Sequence, residues 1–117
     1  MKPIDFNTEL LSKSLSLRLQ KHATLAGNIA NADTPGYRPT KIAFESELQK
    51  AAQTKSSDRL NKIHGKIQTI DDGIPRPDGN SVSIDKQMAE MTENTLVYNA
   101  TAEFIARRMR MLKSVIG

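Results

Sequence analysis

The side chains that could carry out chemistry are few and widely separated in this sequence. His22 and His64 have no second histidine or carboxylate three or four residues away, the spacing that a metal site on one helix needs. Asp71 and Asp72 are adjacent and precede a glycine, which is typical of a turn rather than of an acid–base pair. Cysteine is absent, which excludes thiol catalysis, disulfides and thiolate metal sites. The sequence therefore predicts a protein that is not an enzyme and holds no metal or cofactor.

A long stripe of apolar residues near the C-terminus is the clearest structural pattern. Alternate steps of four and three residues from Ile84 to Ile116 meet an apolar residue at every position except Thr95. This period of 3.5 residues predicts one continuous helix, about 50 Å long, with a coiled-coil contact surface. The first apolar stripe consists of Ile84, Met88, Met91, Tyr98, Ala102, Ile105, Met109, Leu112 and Ile116.

A second apolar stripe follows another face of the same predicted helix. It consists of Ala89, Leu96, Ala100, Phe104, Met111 and Val115. A helix of the same chain can cover one stripe, but a chain of 117 residues has no obvious internal partner for the second. The pattern favours contacts with neighbouring subunits, and the alternative is a monomeric bundle that covers both stripes internally.

A second long helix is predicted near the N-terminus, from Asn7 to Ala30, with Asp5 or Asn7 as its N-cap. Its main apolar face consists of Leu11, Leu15, Leu25 and Ile29. Arg18 and His22 interrupt this face, so we expect the helix to be stabilised by packing against the C-terminal one. Gly27 is interpreted as a point of close approach between helices.

The middle of the chain has weaker signals. Pro35 and Gly36 predict a type II turn, in which the glycine takes a positive φ. A short helix is expected from Ile42 to Ala52, and residues 54–80 are expected to be extended or mobile, with one strand or weak hairpin around Ile67–Ile70. Turn signals occur at Asp72-Gly73 and at Asp78-Gly79-Asn80.

Together these patterns predict a mainly α fold. Its long N- and C-terminal helices pair as a coiled-coil domain, and an extended or weakly β segment connects them. The expected boundaries are residues 1–33 for the first helix, 34–82 for the turn motif, short helix and connecting segment, and 83–117 for the second helix. No apolar run approaches the roughly 20 residues of a membrane-spanning helix, and the first thirty residues lack the pattern of a cleaved secretory signal.

The net charge of +4 raises the alternative of a basic helical nucleic-acid-binding protein. The charge is spread along the chain, and its main basic cluster lies near the end of the C-terminal helix, where cations interact favourably with the helix dipole. That cluster is Arg107, Arg108, Arg110 and Lys113. We therefore expect no nucleic-acid partner.

Two segments of the sequence resemble the axial proteins of the bacterial flagellum, which include the rod, hook and hook-associated proteins. Residues 25–38, LAGNIANADTPGYR, resemble the family's N-terminal signature, an Ala-Asn pair followed by Thr-Pro-Gly-Tyr. Residues 78–82, together with the C-terminal helix, and Phe44–Leu48 resemble the proximal rod members of that family. The resemblance covers about two thirds of the chain and leaves residues 53–77 unsupported.

The resemblance implies a structural subunit of the proximal rod of the flagellar basal body, which polymerises helically and forms part of the drive shaft and export channel. It implies export by the flagellar type III apparatus without a cleaved signal, and assembly in the periplasm. The implied partners are further copies of the chain, other rod proteins, the adaptor protein FliE and the export gate. The alternative within the same organelle is another proximal rod protein.

The resemblance and the helical patterns together give two sets of candidate residues. The family motif, interpreted as a turn that contacts neighbouring subunits, consists of Asn28, Asn31, Thr34, Pro35, Gly36, Tyr37 and Arg38. The candidates for helix packing and the subunit interface are Leu11, Leu15, Leu25, Ile29, Met88, Met91, Tyr98, Phe104, Ile105, Met109, Leu112 and Ile116.

Overall fold

A computed structural model of the chain describes residues 5–70 and 83–116. Helix α1 spans Phe6–Ala30, and Asp5 caps it by accepting hydrogen bonds from the backbone N–H of Thr8 at 2.9 Å and from the Thr8 hydroxyl at 2.8 Å. The helix ends at Asn31, whose backbone N–H donates to Gly27 O at 3.1 Å. The N-terminal helix predicted from the sequence is confirmed, with Asp5 as its cap.

The C-terminal helix and its pairing with α1 are also as predicted. This helix is unbroken from Ile84 to Ile116 and lies alongside α1. Hydrogen bonds join Asn28 near the end of α1 to Gln87 near the start of the C-terminal helix, and Thr8 to Arg108 at the opposite ends, so the pair is antiparallel. The molecule is elongated, with principal extents of 62 × 24 × 16 Å. The mainly α fold with two paired terminal helices is confirmed.

The connecting segment begins with a strand where the sequence predicted the start of a helix. Strand β1 spans Thr40–Ala43 and pairs with β2, Lys66–Thr69, in an antiparallel two-stranded sheet. The predicted strand around Ile67–Ile70 is confirmed. The helix predicted from Ile42 is wrong at its start, because β1 alternates the buried Ile42 with more exposed residues after Pro39, a pattern that suits a strand. Helix α2 begins only at Glu45 and ends at Thr54.

A short helix, α3, spans Ser57–Asn61, where the sequence analysis expected extended chain. The Ser56 hydroxyl accepts a hydrogen bond from Arg59 N at 3.1 Å and caps this helix. Leu60 then points into the interior and is buried. The expectation was wrong because one cap and one buried leucine suffice for a single turn supported by its neighbours. The C-terminal helix is α4 in chain order.

The hydrophobic core lies between α1 and the connecting segment. Its buried residues are Leu17, Ile42, Phe44, Ala51, Leu60 and Ile63. Gly65 lies against this core so closely that a Cβ there would come within 2.1 Å of Ile42 Cδ1. The core therefore fixes the connecting segment on one side of α1 and leaves another side for α4.

Two expectations from the sequence stay predictions. The turns predicted at Asp72-Gly73 and Asp78-Gly79-Asn80 lie outside the described residues. The division of the chain at residues 33/34 and 82/83 stays a prediction. None of the described helices combines the length and the apolarity needed to cross a bilayer.

Candidate subunit-contact site

Asn28 joins three parts of the molecule. Its side-chain amide donates to Thr40 O at 2.7 Å and to Gln87 Oε1 at 2.8 Å, while its Oδ1 accepts from Thr40 N at 3.0 Å and from the Tyr37 hydroxyl at 3.1 Å. Both donors and both acceptor positions are used, which is what a fully buried amide requires. Asn28 therefore fixes α1, the start of β1 and the first turns of α4 relative to one another.

The turn after α1 has the geometry that its sequence predicts. Tyr37 N donates to Thr34 O at 3.2 Å across the turn, and Gly36 has a φ of +76°. Asn31 stabilises the end of α1 because its amide donates to Gly27 O at 2.8 Å, and its Oδ1 accepts from the Thr34 hydroxyl at 3.2 Å. Positions 33–36 and 38 are exposed. The motif thus divides into the buried Asn28 and the half-buried Asn31 and Tyr37, which position the turn, and exposed residues that the turn presents.

Gly27 does not have the role predicted for it. A Cβ at this position would meet only the Tyr37 hydroxyl, at 3.8 Å, which is ordinary van der Waals contact. The prediction of a close approach between helices is therefore wrong at Gly27. Close packing against a glycine is found at Gly65, which contacts the side chain of Ile42 in β1 and does not lie between helices.

The side chains of α4 that lie deepest against α1 are polar. Gln87, Asn94 and Thr101 are buried, while no apolar side chain in the described part of α4 is. The sequence analysis expected the first apolar stripe at this contact, and the structure places that stripe to one side of it. The reason is that α1 presents polar groups here, which need polar partners.

Three polar pairs, which we call the polar seam, connect α4 to α1 or its cap. They are Asn28–Gln87, Arg18–Asn94 and Thr8–Arg108. Asn94 donates to Arg18 O at 2.9 Å and accepts from Arg18 Nη1 at 3.3 Å. Arg108 Nε donates to the Thr8 hydroxyl at 3.1 Å, and its Nη2 forms an ion pair with Asp5.

The candidate packing residues are divided between the helix contact and the solvent. Leu25 is buried, and Met88, Phe104 and Met109 are exposed. The side chain of Ile116 is not described. The half-buried candidates are Leu11, Leu15, Ile29, Met91, Tyr98, Ile105 and Leu112. In the single chain, several of the predicted interface residues thus leave apolar surface exposed to solvent.

The second apolar stripe is open to solvent along its length. Its large side chains, Leu96, Phe104, Met111 and Val115, have exposed fractions of 65%, 59%, 68% and 85%. Exposure of this extent at helical spacing is unusual for a single folded chain. The alternative in which one monomer covers both stripes is therefore wrong.

An apolar groove runs between α1 and α4 on the other side of α4. Its floor includes Ala26 and Ile29 of α1 together with Met88 and Met91 of α4. The groove and the second apolar stripe lie on different faces of α4 and meet at Leu96. One subunit thus presents two different apolar surfaces along the same helix.

Two carboxylates have perturbed pKa values. Hydrogen bonds from the backbone N–H and hydroxyl of Thr8 hold the pKa of Asp5 below its ordinary value, and Arg108 lowers it further. Burial raises the pKa of Glu45, but hydrogen bonds from backbone N–H groups and from Lys21 outweigh it, so this pKa is also lowered overall. Both groups stabilise contacts with α1 in their charged forms.

The titratable residues do not form a reactive centre in the described part of the chain. His22 and His64 are exposed, and residues 5–70 and 83–116 contain no group of three histidine, aspartate or glutamate side chains that could hold a metal ion. Arg18 is 5.3 Å from the centre of the Phe44 ring and stacks over it. The arrangement serves to hold helices and to present apolar surface.

The polar seam was missed by the sequence analysis, although the sequence contains a signal for it. Gln87, Asn94, Thr101 and Arg108 recur every seven residues, the repeat of one face of a paired helix. Apolar periodicity does not reveal these four positions, because their side chains are polar.

The chain is similar to known proteins over nearly its whole length. The family model described as "Flagella basal body rod protein" matches residues 12–38, the segment that contains Asn28 and the turn. The flagellar basal body rod protein FlgB of Proteus mirabilis (strain HI4320) is 31% identical over 121 residues, covering 89% of this chain and 88% of that protein. The FlgB of Escherichia coli (strain K12) is 29% identical over 130 residues, covering 97% and 94%, and that of Borrelia hermsii is 25% identical over 134 residues, covering 99% of each.

Proposed function

Because this chain belongs to the FlgB family of flagellar basal body rod proteins, and is therefore a structural subunit of the basal-body rod, we propose that it polymerises helically in the proximal part of that rod. Rod subunits of this family are structural proteins and not enzymes, and they associate with other basal body rod proteins. The proposal adds which surfaces of this chain make the contacts.

The observation that carries this proposal is the exposure of α4. The longest helix of the chain has no buried apolar side chain in its described part, while Leu96, Phe104 and Met111 are all more than half exposed. Removing apolar surface from water stabilises an assembly by about 25 cal/mol per Å². Neighbouring subunits that cover these side chains would therefore supply stabilisation that a single chain forgoes.

The two apolar surfaces of α4 suit contacts that propagate. The second apolar stripe and the groove floored by Ile29 and Met91 are different surfaces on different faces. A contact between two different surfaces of identical subunits is heterologous, and it builds a helical filament when its rotation does not close a ring. We assign the stripe and the groove to such contacts, with copies of this chain and with other rod proteins.

The turn after α1 is proposed to direct the chain towards a neighbouring subunit. Asn28 and Asn31 fix the exit from α1, Gly36 supplies the positive φ, and Tyr37 ties the turn back to Asn28. The exposed members of the motif, Thr34, Pro35 and Arg38 among them, are then available for contact.

The remaining parts of the proposal rest on the resemblance of the sequence to proximal rod proteins. They are a position next to the adaptor FliE and the flagellar type III export gate, export without a cleaved signal, assembly in the periplasm and a share in forming the export channel. Fractionation of basal bodies with cross-linking to FliE would test this position directly.

The contact surface itself is tested by replacing exposed apolar residues of α4. We expect Phe104→Ser combined with Met111→Ser to leave the free energy of unfolding of the isolated subunit within about 0.5 kcal/mol per substitution, because both side chains are exposed. Incorporation into basal bodies, measured on isolated rods, should fall strongly, and motility should be lost. The matched control is Ile67→Ser, which replaces an apolar residue on β2 that is also more than half exposed and should retain incorporation. Normal rods with the double variant would contradict the assignment.

A further inference from the structure

The polar seam lies where an ordinary helix pair would place apolar residues. Gln87, Asn94 and Thr101 are the buried residues among the described side chains of α4, and Arg108 continues their seven-residue repeat. At 100° per residue, the centre of the first apolar stripe lies about 70° around the helix axis from the centre of this polar repeat. Rotating α4 by that angle would bury the stripe against α1, yet the structure keeps it at the margin of the contact.

Stability alone does not account for the seam. Arg18 is half-buried beside Asn94, and its Nε is shielded from solvent without a hydrogen-bond partner among the described residues. Buried charged groups carry a desolvation cost, and apolar residues of similar size at such places are often as stabilising or more so. A polar pair at a buried heptad position has a different effect: it selects one register of the two helices and penalises the others.

The three pairs fit one register only. If α4 slipped by one heptad along α1, Thr101 would face Arg18, and it could not replace the hydrogen bond that Asn94 donates to Arg18 O, because its only hydroxyl proton is donated to Val97 O at 2.8 Å. The Asn94 carboxamide would lose both of its bonds to Arg18, and Gln87 would lose Asn28. Since each buried polar group left without a partner is unfavourable, the slip is penalised at several points along the helix at once.

We propose that the polar seam sets the register and rotation of α4 on α1, so that the first apolar stripe of α4 stays partly outward for contact with other subunits. Arg18, Asn94, Gln87 and Arg108 are thus positioning residues that act through the orientation of Met88, Met91 and their neighbours. The consequence for the rod rests on the proposed function, whereas the register is a property of the isolated subunit and can be measured without any assembly.

The test replaces both members of the central pair by leucine, giving Arg18→Leu/Asn94→Leu, so that neither partner is left unpaired. Because the chain has no cysteine, introduced cysteine pairs report the register without background. His22→Cys with Thr95→Cys reports the native register, since both side chains line the same depression between the helices. His22→Cys with Ala102→Cys reports a slip of one heptad.

Cross-linking of the monomeric subunit by a short bis-maleimide gives the ratio of native to slipped register. We expect the leucine pair to keep or raise the Tm and to lower this ratio by about tenfold relative to the unmodified seam. The single variant Asn94→Leu, which leaves Arg18 unpaired, should lower the Tm, which separates loss of stability from loss of register. An unchanged ratio in the leucine pair would overturn the proposal even if rods assemble as proposed. An altered ratio with normal rods would instead contradict the assignment of α4 to subunit contacts.

Discussion

Single polar side chains determine how the elements of this molecule meet. Asn28 is the strongest case, because one amide bonds the start of β1, the turn tyrosine and Gln87 on α4. Arg18 has a similar position further along α1, between the Phe44 ring and Asn94. Each of these residues bonds two elements that pack on different sides of α1. Changes at such residues should therefore affect the arrangement of elements as well as the stability of one contact.

Truncating the side chain of Asn28 should be among the more damaging changes on α1. We expect Asn28→Ala to lower the free energy of unfolding by about 2–4 kcal/mol, because Thr40 N and Gln87 Oε1 lose a partner in a buried place. The matched control is Asn31→Ala, the half-buried asparagine of the same motif, with an expected loss of about 1 kcal/mol. Urea unfolding followed by circular dichroism measures both. Equal losses would show that Asn28 does not have the linking role described.

The two glycines with opposite environments give a second contrast. Gly65→Ala would place a Cβ 2.1 Å from Ile42 Cδ1 and 2.4 Å from its Cγ1, and Ile42 is buried in the core. We expect a loss of about 1–3 kcal/mol in the free energy of unfolding. Gly27→Ala should instead gain about 0.5–1 kcal/mol, because its nearest neighbour is 3.8 Å away and alanine favours a helix. Thermal or urea unfolding measures both changes. A Gly65→Ala variant as stable as the parent protein would contradict the close approach at Ile42.

At the scale of elements, α4 differs from the other helices in how it is held. The connecting segment packs on α1 through a continuous set of buried apolar residues, whereas α4 adds half-buried apolar contacts to three polar pairs. One end of that contact depends on charge, because Arg108 pairs with both Thr8 and Asp5. The pairing of α4 with α1 should consequently be more sensitive to the solution conditions than the packing of the connecting segment on α1.

Acid should weaken the contact between the N-terminal end of α1 and Arg108 of α4. The pKa of Asp5 is lower in the folded chain than in the unfolded chain. The charged carboxylate therefore contributes its full stabilisation above the pKa of an unfolded aspartate, about 4, and this contribution is lost as the pH falls through the pKa of Asp5 in the folded chain. We expect lower protection factors for the amides in the first turns of α1 below about pH 4, with hydrogen-exchange rates corrected for their intrinsic dependence on pH. Asp5→Asn, which still offers a capping oxygen, should remove this pH dependence. Unchanged protection factors in the parent protein between pH 5 and about pH 3 would contradict this expectation.

The whole molecule is an elongated body of 62 Å with apolar surfaces along one helix and a modest positive charge. The positive groups are not arranged as a separate basic arm, and Glu103 accompanies Arg107 and Arg110 on α4. Association of this molecule should thus be governed by apolar burial rather than by charge.

Salt dependence separates these two kinds of association. We expect self-association of the purified subunit, measured by sedimentation, to persist or increase as salt rises from 50 to about 500 mM, because apolar contacts are not screened. Binding to nucleic acid would instead weaken steeply over the same range, since it depends on the release of counterions. The Phe104→Ser/Met111→Ser variant serves as the control and should associate less at every salt concentration. A steep loss of association with salt would favour the nucleic-acid alternative.

Local sequence patterns sufficed for the features that depend on neighbours along the chain. The 3.5-residue apolar period predicts α4 as one helix, Asp5 predicts the start of α1, and Pro35-Gly36 predicts the turn with its positive φ. Each feature is determined by short-range sterics, capping or helical periodicity. These effects act between residues that are close in the sequence and can be read from it directly. The family motif likewise lies in one continuous segment, residues 12–38 in the match to the rod proteins.

Only the tertiary structure decided which side of each helix faces which partner. Nothing local shows that Gln87 would meet Asn28, fifty-nine residues earlier in the chain, or that the apolar stripe of α4 would lie beside the contact and not in it. The strand at Thr40–Ala43 depends in the same way on β2, which follows it after two intervening helices. Burial and hydrogen bonding between distant segments determine these choices, because a buried polar group needs its partner whatever its own neighbours in sequence prefer.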